Sequence, residues 1–222
     1  MFFKEKYDKM TDIEKEDFLK VLFMNSDTEY AEETRVEYYK QKLKSLGENV
    51  KIGKNVKFVN PELISIGDNT IIMDDVSIIA RGDTYINIGS GVYLCERVYL
   101  DTEHKGGYIE IKDNVYIGTG TTLFGHEGLE IGEYSLLAQN ITLTPYSHIF
   151  DDPDDVIINQ GGHSEKVTIG RDCYLGMGVC VMYSGNIGDG SVVGAGSTVV
   201  KPIPPYSIAV GTPAKVIKKR GE

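Results

Sequence analysis

The sequence predicts a mainly β solenoid of three-sided coils, and two observations carry that prediction. One is a series of aliphatic-glycine pairs: Ile52-Gly53, Ile66-Gly67, Ile88-Gly89, Ile131-Gly132, Ile169-Gly170, Ile187-Gly188 and Val193-Gly194. The other is a step of six. From Ile169 an aliphatic residue returns at Leu175, Val181, Ile187, Val193 and Val199. The same step joins Ile66, Ile72 and Ile78, then Ile88, Leu94 and Leu100, then Ile111, Ile117 and Leu123, then Ile131, Leu137 and Leu143.

Six matches neither the helical period nor simple strand alternation, but it suits a short strand followed by a tight turn. Three such units close one triangular coil. The aliphatic residue points inward, and the small residue after it is expected to ease the corner. Six or seven coils, pairing as parallel strands about 4.8 Å apart, give a rod on the order of 30 Å long. Each inward aliphatic contributes roughly 1.5–3 kcal/mol to one continuous core. A sandwich with glycine-marked hairpins is set aside, because hairpin strands do not hold a fixed step over so long a run.

The chain then divides into an N-terminal helical segment, 1–49, a β-helix, 50–201, with a projecting loop, 144–168, and a basic C-terminal tail, 202–222. Within the first segment, residues 11 to 47 read as two helices. Thr11 with Glu14 and Ser26 with Glu29 have capping-box spacing, and Gly47 is a candidate stop. Phe18, Val21, Leu22, Val36, Tyr39 and Leu43 are expected to face the rod or a neighbouring chain. The loop carries Asp151, Asp152, Asp154 and Asp155, read as a solvated acidic turn because the Gly and terminal Glu of a calcium loop are missing.

The formal net charge of -10 argues against a nucleic-acid or acidic-membrane binder. Cys95, Cys173 and Cys180 lack paired spacing, which favours a reducing compartment and excludes zinc ribbons. With no apolar run long enough to span a bilayer, no membrane insertion is expected and a cytoplasmic location is. One stretch reverses the acidic balance. After Asp189 the sole acid is Glu222, while Lys201, Lys215, Lys218, Lys219 and Arg220 supply the positive charge that a phosphate-rich ligand needs.

His104, His126 and His148 follow Ile88, Ile111 and Ile131 by sixteen, fifteen and seventeen places, close to one coil of about eighteen. All three are therefore expected along one edge. A metal site, an acceptor groove and a merely polar corner each account for that clustering. Acyl transfer from a thioester needs only a base, alignment and an oxyanion donor. Histidine suits the base, because its ordinary pKa near 6.5 lets it take and return a proton at neutral pH.

The segments IGRDCYLGMGVCVMYSGNIGDGSVVGAGSTVV, PIPPYSIAVGTPAKVI and TPYSH carry a resemblance over about residues 50 to 218. The chain resembles the hexapeptide-repeat acyltransferases, whose rod is a left-handed parallel β-helix, and above all the galactoside and maltose O-acetyltransferases. That resemblance implies acetyl-coenzyme A as co-substrate, no required metal, a small sugar or saccharide acceptor, and a homotrimer with sites between chains. It places His148 as general base, with His104, His126 and Glu127 at the acceptor. Met177 and Ala195 match backbone contacts to pantetheine, with the Met177 amide as oxyanion donor. Lys201, Lys215 and Lys218 match the basic positions near the nucleotide.

Two positions depart from the family. Tyr174 replaces a tryptophan that walls the acceptor pocket, and Gly118 replaces an acceptor-contacting asparagine. Carbonic anhydrases of the same rod fold carry two histidines five apart on one segment, a pair this chain lacks. Acetylation of an amino sugar or of a streptogramin-like antibiotic is the alternative activity. A silent rod serving as an assembly subunit is the non-enzymatic one.

Overall fold

A computed structural model describes residues 2–103 and 106–222, so His104 lies outside the described residues. The chain is a parallel β-solenoid with three faces. The first is a 6-stranded sheet, from Ser45–Leu46 through Ile64–Ile66, Tyr85–Ile88, Tyr108–Ile111 and Leu129–Ile131 to Val167–Ile169. The second, 9-stranded, runs from Lys51–Ile52 to Ser207–Val210 and ends on the antiparallel strand Lys215–Lys219. The third, 7-stranded, runs from Lys57–Val59 to Thr198–Val199.

The step of six marks the residues that fill the prism. Ile72, Ile78, Leu94, Leu100, Ile117, Leu123, Leu137, Leu143, Leu175, Val181, Val193 and Val199 are all buried in one cluster. Parallel register keeps them stacked: Leu94 pairs with Ile72 and Ile117, and Leu143 with Leu123 and Val181.

The corner glycines work differently from the expectation. Gly67, Gly132 and Gly170 do not adopt a left-handed backbone; the residue two places on does, as at Asn69, Tyr134 and Asp172. What forces glycine is the next coil. A Cβ on Gly67 would lie 2.6 Å from the Ser90 amide nitrogen, and one on Gly132 2.6 Å from that of Arg171. The tight step between coils, rather than the bend itself, excludes a side chain there.

At the N-terminal end there are three helices, α1 (Phe2–Asp8), α2 (Asp12–Asn25) and α3 (Glu29–Lys40). Thr11 and Glu14 form the reciprocal capping box that opens α2. The cap of α3 is Thr28, whose side chain accepts from the Ala31 amide, while Ser26 closes α2 instead. Nor does Gly47 end a helix: α3 stops at Lys40, and Ser45–Leu46 already pairs with Ser65 and Ile66 as the rod's first strand.

Buried Arg35 fastens this helical cap. It donates to the Ile52 carbonyl at 2.8 Å and to the carbonyls of Phe23 and Ser26, at the C-terminal end of α2, at 2.7 and 2.9 Å. Tyr39 and Leu43 are buried and Val36 packs on the core, whereas Phe18, Val21 and Leu22 are exposed. No helix among the described residues is long and apolar enough to cross a membrane.

The tail continues the rod rather than leaving it. Ile203 bridges Ile187 on the first face, Ser207–Val210 pairs parallel with Val192–Val193, and the Thr198 amide donates to the Gly211 carbonyl.

Candidate active site

Three edges join the faces, and most of the described candidate residues lie on two of them. His126 and Glu127 lie between the third-face strand Thr122–Phe124 and the first-face strand Leu129–Ile131. His148 lies on the same edge one coil further on, within an antiparallel hairpin that projects from it. Its outgoing strand Tyr146–His148 pairs with Gly162–Ser164, so that Tyr146 faces Ser164, Ser147 faces His163, and His148 faces Gly162.

The hairpin is tied to the coils on both sides. Ser164 Oγ donates to Glu127 at 3.0 Å and Lys166 pairs with Glu130 at 3.1 Å, on the earlier coil; Ser184 donates to Glu165 on the later one. Pairing alternates side chains between the two hairpin faces. Ser164 therefore reaches Glu127, and His163 on the other face stacks on Tyr183 at 6.4 Å. At the tip, Asp152 accepts from the Asp154 amide, and Asp155 from the Val156 amide and Asn159, so both carboxylates are used within the loop. Among the described residues no cluster of histidine, cysteine and acidic side chains is arranged to hold a metal ion.

A row of rings runs along this edge. Tyr99 meets Phe124 at 6.2 Å, Phe124 meets His126 at 5.9 Å, and His126 stacks on Tyr146 at 4.9 Å. His148 closes the row, perpendicular to Tyr146 at 5.0 Å. His126 is buried behind Tyr146, whereas His148 is exposed. A cleft of about 460 Å³ opens at the hairpin, lined by Ser147, His148, Phe150, His163, Met182 and Tyr183.

Where the row begins, the Arg81 guanidinium grips the fully buried Asp101 carboxylate at 2.7 and 2.6 Å. Burial alone would raise that carboxyl; Arg81, the Tyr99 hydroxyl and the Glu103 amide together hold it below the usual carboxylate range.

The donor candidates occupy another edge. Met177 and Ala195 lie on successive coils between the second and third faces, both exposed, with the Gly196 amide donating to the Met177 carbonyl at 2.8 Å. A side chain on Gly178 or Gly196 would meet nothing within 4 Å, so the strip between them is an open backbone surface. Gly118 lies on the same edge, where a Cβ would come 2.5 Å from the Ala138 carbonyl carbon; this backbone has no room for an asparagine there.

Tyr174 is exposed on the second face, beside Leu136 and Val192, and away from the histidines. Lys201 follows the last third-face strand, and Lys215 and Lys218 lie on the closing antiparallel strand, all three exposed. Two of the tail's other cations pin it to the rod. Lys219 donates to the Pro205 carbonyl at 3.0 Å, and Arg220 pairs with Asp172 at 2.8 Å.

One chain therefore brings His126, Glu127 and His148 together and leaves Met177, Ala195 and Tyr174 elsewhere. His163, Tyr183 and Tyr146 enter the site without having been singled out in the sequence, because only the folded hairpin pairs Tyr146–His148 with Gly162–Ser164.

This fold and these sequences have known counterparts. No family model matches the chain. A putative lipopolysaccharide biosynthesis O-acetyl transferase of Escherichia coli is 32% identical over 63% of this chain and 74% of its own length. The chain belongs to the hexapeptide-repeat acetyltransferases. A probable acetyltransferase of Mycobacterium tuberculosis is 33% identical over 74% of this member of the family, which spans only 54% of that relative's length. Among solved structures, AntD, an N-acyltransferase from Bacillus cereus, superimposes with a TM-score of 0.60 at 22% identity, covering 84% of this acetyltransferase-family chain and 89% of its own; that likeness is one of fold.

Proposed function

We propose that the protein transfers the acetyl group of acetyl-coenzyme A to a hydroxyl of a saccharide-like acceptor, with His148 as general base. The observation that carries this reading is an exposed imidazole at the mouth of a cleft, on a hairpin tied to the rod on both sides. The E. coli relative's name supports an O-linked saccharide acceptor, and AntD, solved with dTDP and coenzyme A, supports the thioester donor.

His148 removes the acceptor's hydroxyl proton as that oxygen attacks the thioester carbonyl. The Met177 amide, which donates to no group among the described residues, receives the oxyanion. The carbon-sulfur bond then breaks, and His148 returns the proton to the departing thiolate. The mechanism calls for no cysteine nucleophile, and burial raises the Cys173 and Cys180 thiols, which disfavours their thiolates.

Because His148 and Met177 stand on different edges, the reading requires a second chain in the assembly to join them, and a homotrimer supplies three such junctions. Lys201, Lys215 and Lys218 are the phosphate contacts, and Tyr174 belongs to the acceptor wall across the junction. His148→Ala should lower kcat by about 10²–10⁴ while leaving coenzyme A affinity nearly intact. Retention of most of the wild-type kcat at saturating donor and acceptor, across a panel of sugars and nucleotide sugars, would overturn the assignment of the base.

A further inference from the structure

We propose that Tyr146 is a positioning residue for His148, and that position 162 is glycine so that the tyrosine ring can reach that place. The proposal rests on the reading of His148 as the base, and it concerns a residue that acts through His148 rather than on substrate.

The argument begins with Gly162. It lies exposed on a strand, where a side chain would ordinarily strengthen cross-strand packing. Its backbone is not left-handed; the positive φ in this turn belongs to Gly161, at +78°. Backbone conformation therefore does not call for glycine at 162. Sterics do. A Cβ there would overlap the far edge of the Tyr146 ring, at Cζ, Oη and Cε2. The ring thus lies diagonally across the hairpin, over the residue paired with His148.

The Tyr146 ring is held from behind as well. His126, itself buried, stacks on it at 4.9 Å with an interplanar angle of 28°. His148 meets the ring at 5.0 Å and 90°. Tyr146 is a wedge between a buried imidazole and an exposed one. An exposed histidine on a projecting strand would otherwise sample several rotamers, and holding one near-attack orientation is worth rate. A Cβ at 162 would push the wedge out and release His148 while leaving both imidazoles in the chain.

The test uses the full-length protein and reads the His148 ring protons by NMR, assigned by their loss in His148→Ala. In the wild type they should carry the ring-current shift of a neighbouring aromatic. Tyr146→Leu should move them to the position of a solvent-exposed histidine, Tyr146→Phe should keep the wild-type position, and Gly162→Ala should move them in the same direction as Tyr146→Leu. In the Tyr146→Leu background, Gly162→Ala should add nothing, since the group it displaces is gone.

Thiol release from acetyl-coenzyme A in the presence of the acceptor panel supplies the second readout. Tyr146→Leu should lower kcat about tenfold with KM nearly unchanged, and have no effect once His148 is alanine. Unmoved His148 resonances in Tyr146→Leu, or a full Gly162→Ala shift without the tyrosine, would sink the proposal. High turnover in His148→Ala would instead sink the base, and the resonances would still decide whether Tyr146 orients the ring. Melting curves in the wild-type range show that each variant is folded.

Discussion

Asp101 has no exposed surface, yet its carboxylate stays charged because donors surround it: Arg81 twice, the Tyr99 hydroxyl at 2.7 Å and the Glu103 amide at 2.9 Å. Asp101→Asn keeps the shape and removes the charge, and it should cost about 1–3 kcal/mol at pH 7, the Arg81 share being reduced because that side chain is half exposed. The pH dependence follows from the lowered pKa. The contribution is present above the unfolded-state value of about 3.9 and is lost as pH falls through the lower folded-state value. Urea titrations should therefore show a wild-type advantage at pH 7 that shrinks by pH 3; an advantage that grew on acidification would contradict the assignment. Asp101 and Arg81 were not legible in the sequence, since twenty residues separate them and only coil stacking brings them together. The position of His148 at an interruption of the repeat was legible, and the structure places it on the projecting hairpin.

Among the elements, the corners show how far a sequence pattern reaches. The pairs Ile66-Gly67, Ile88-Gly89, Ile131-Gly132, Ile169-Gly170 and Ile187-Gly188 mark first-to-second-face corners, whereas Ile52-Gly53 and Val193-Gly194 fall at second-to-third-face corners and the corner after Ile111 carries Lys112. The reason for the glycine is visible only once a second coil lies against the first. Two substitutions separate the causes. Gly67→Ala puts a methyl into the Ser90 backbone and should cost more than about 2 kcal/mol, with loss of cooperative melting if the coils part. Gly196→Ala meets open space and pays only for its left-handed φ of +68°, about 1–2 kcal/mol. A lower melting temperature for Gly196→Ala than for Gly67→Ala would mean that backbone conformation, not the neighbouring coil, decides. The helices were legible in number and cap only in part: α1 was not read, and Thr11 announces α2, but Ser26 and Thr28 offer nearly the same local chemistry for the start of α3. The hairpin was legible as an insertion, not as a paired structure, because antiparallel partners fourteen to eighteen residues apart share no short-range signal. For that reason His163 and Tyr146 emerged only with the fold.

For the whole molecule, the separation of His148 from Met177 is the feature that most constrains function. Each lies on its own edge, with the third face, about 10 Å across, between them. If chains join these edges, a His148→Ala chain and an Ala195→Trp chain, each inactive alone, should regain about a quarter of wild-type activity when refolded together in equal amounts, since each mixed trimer holds one intact junction. Light scattering should report three chains, and a monomer at micromolar concentration would remove the basis for this complementation. Lys215→Glu with Lys218→Glu should weaken coenzyme A binding, the more so at low salt. The rod's ends carry a further consequence. A parallel ladder has no inherent length, and an unpaired coil is a template for the coil of another molecule. Here Arg35 and Tyr39 seal the first coil, and the strand Lys215–Lys219 runs the wrong way for a parallel addition. Those two stoppers oppose the growth of a stack of near-identical rungs into a filament.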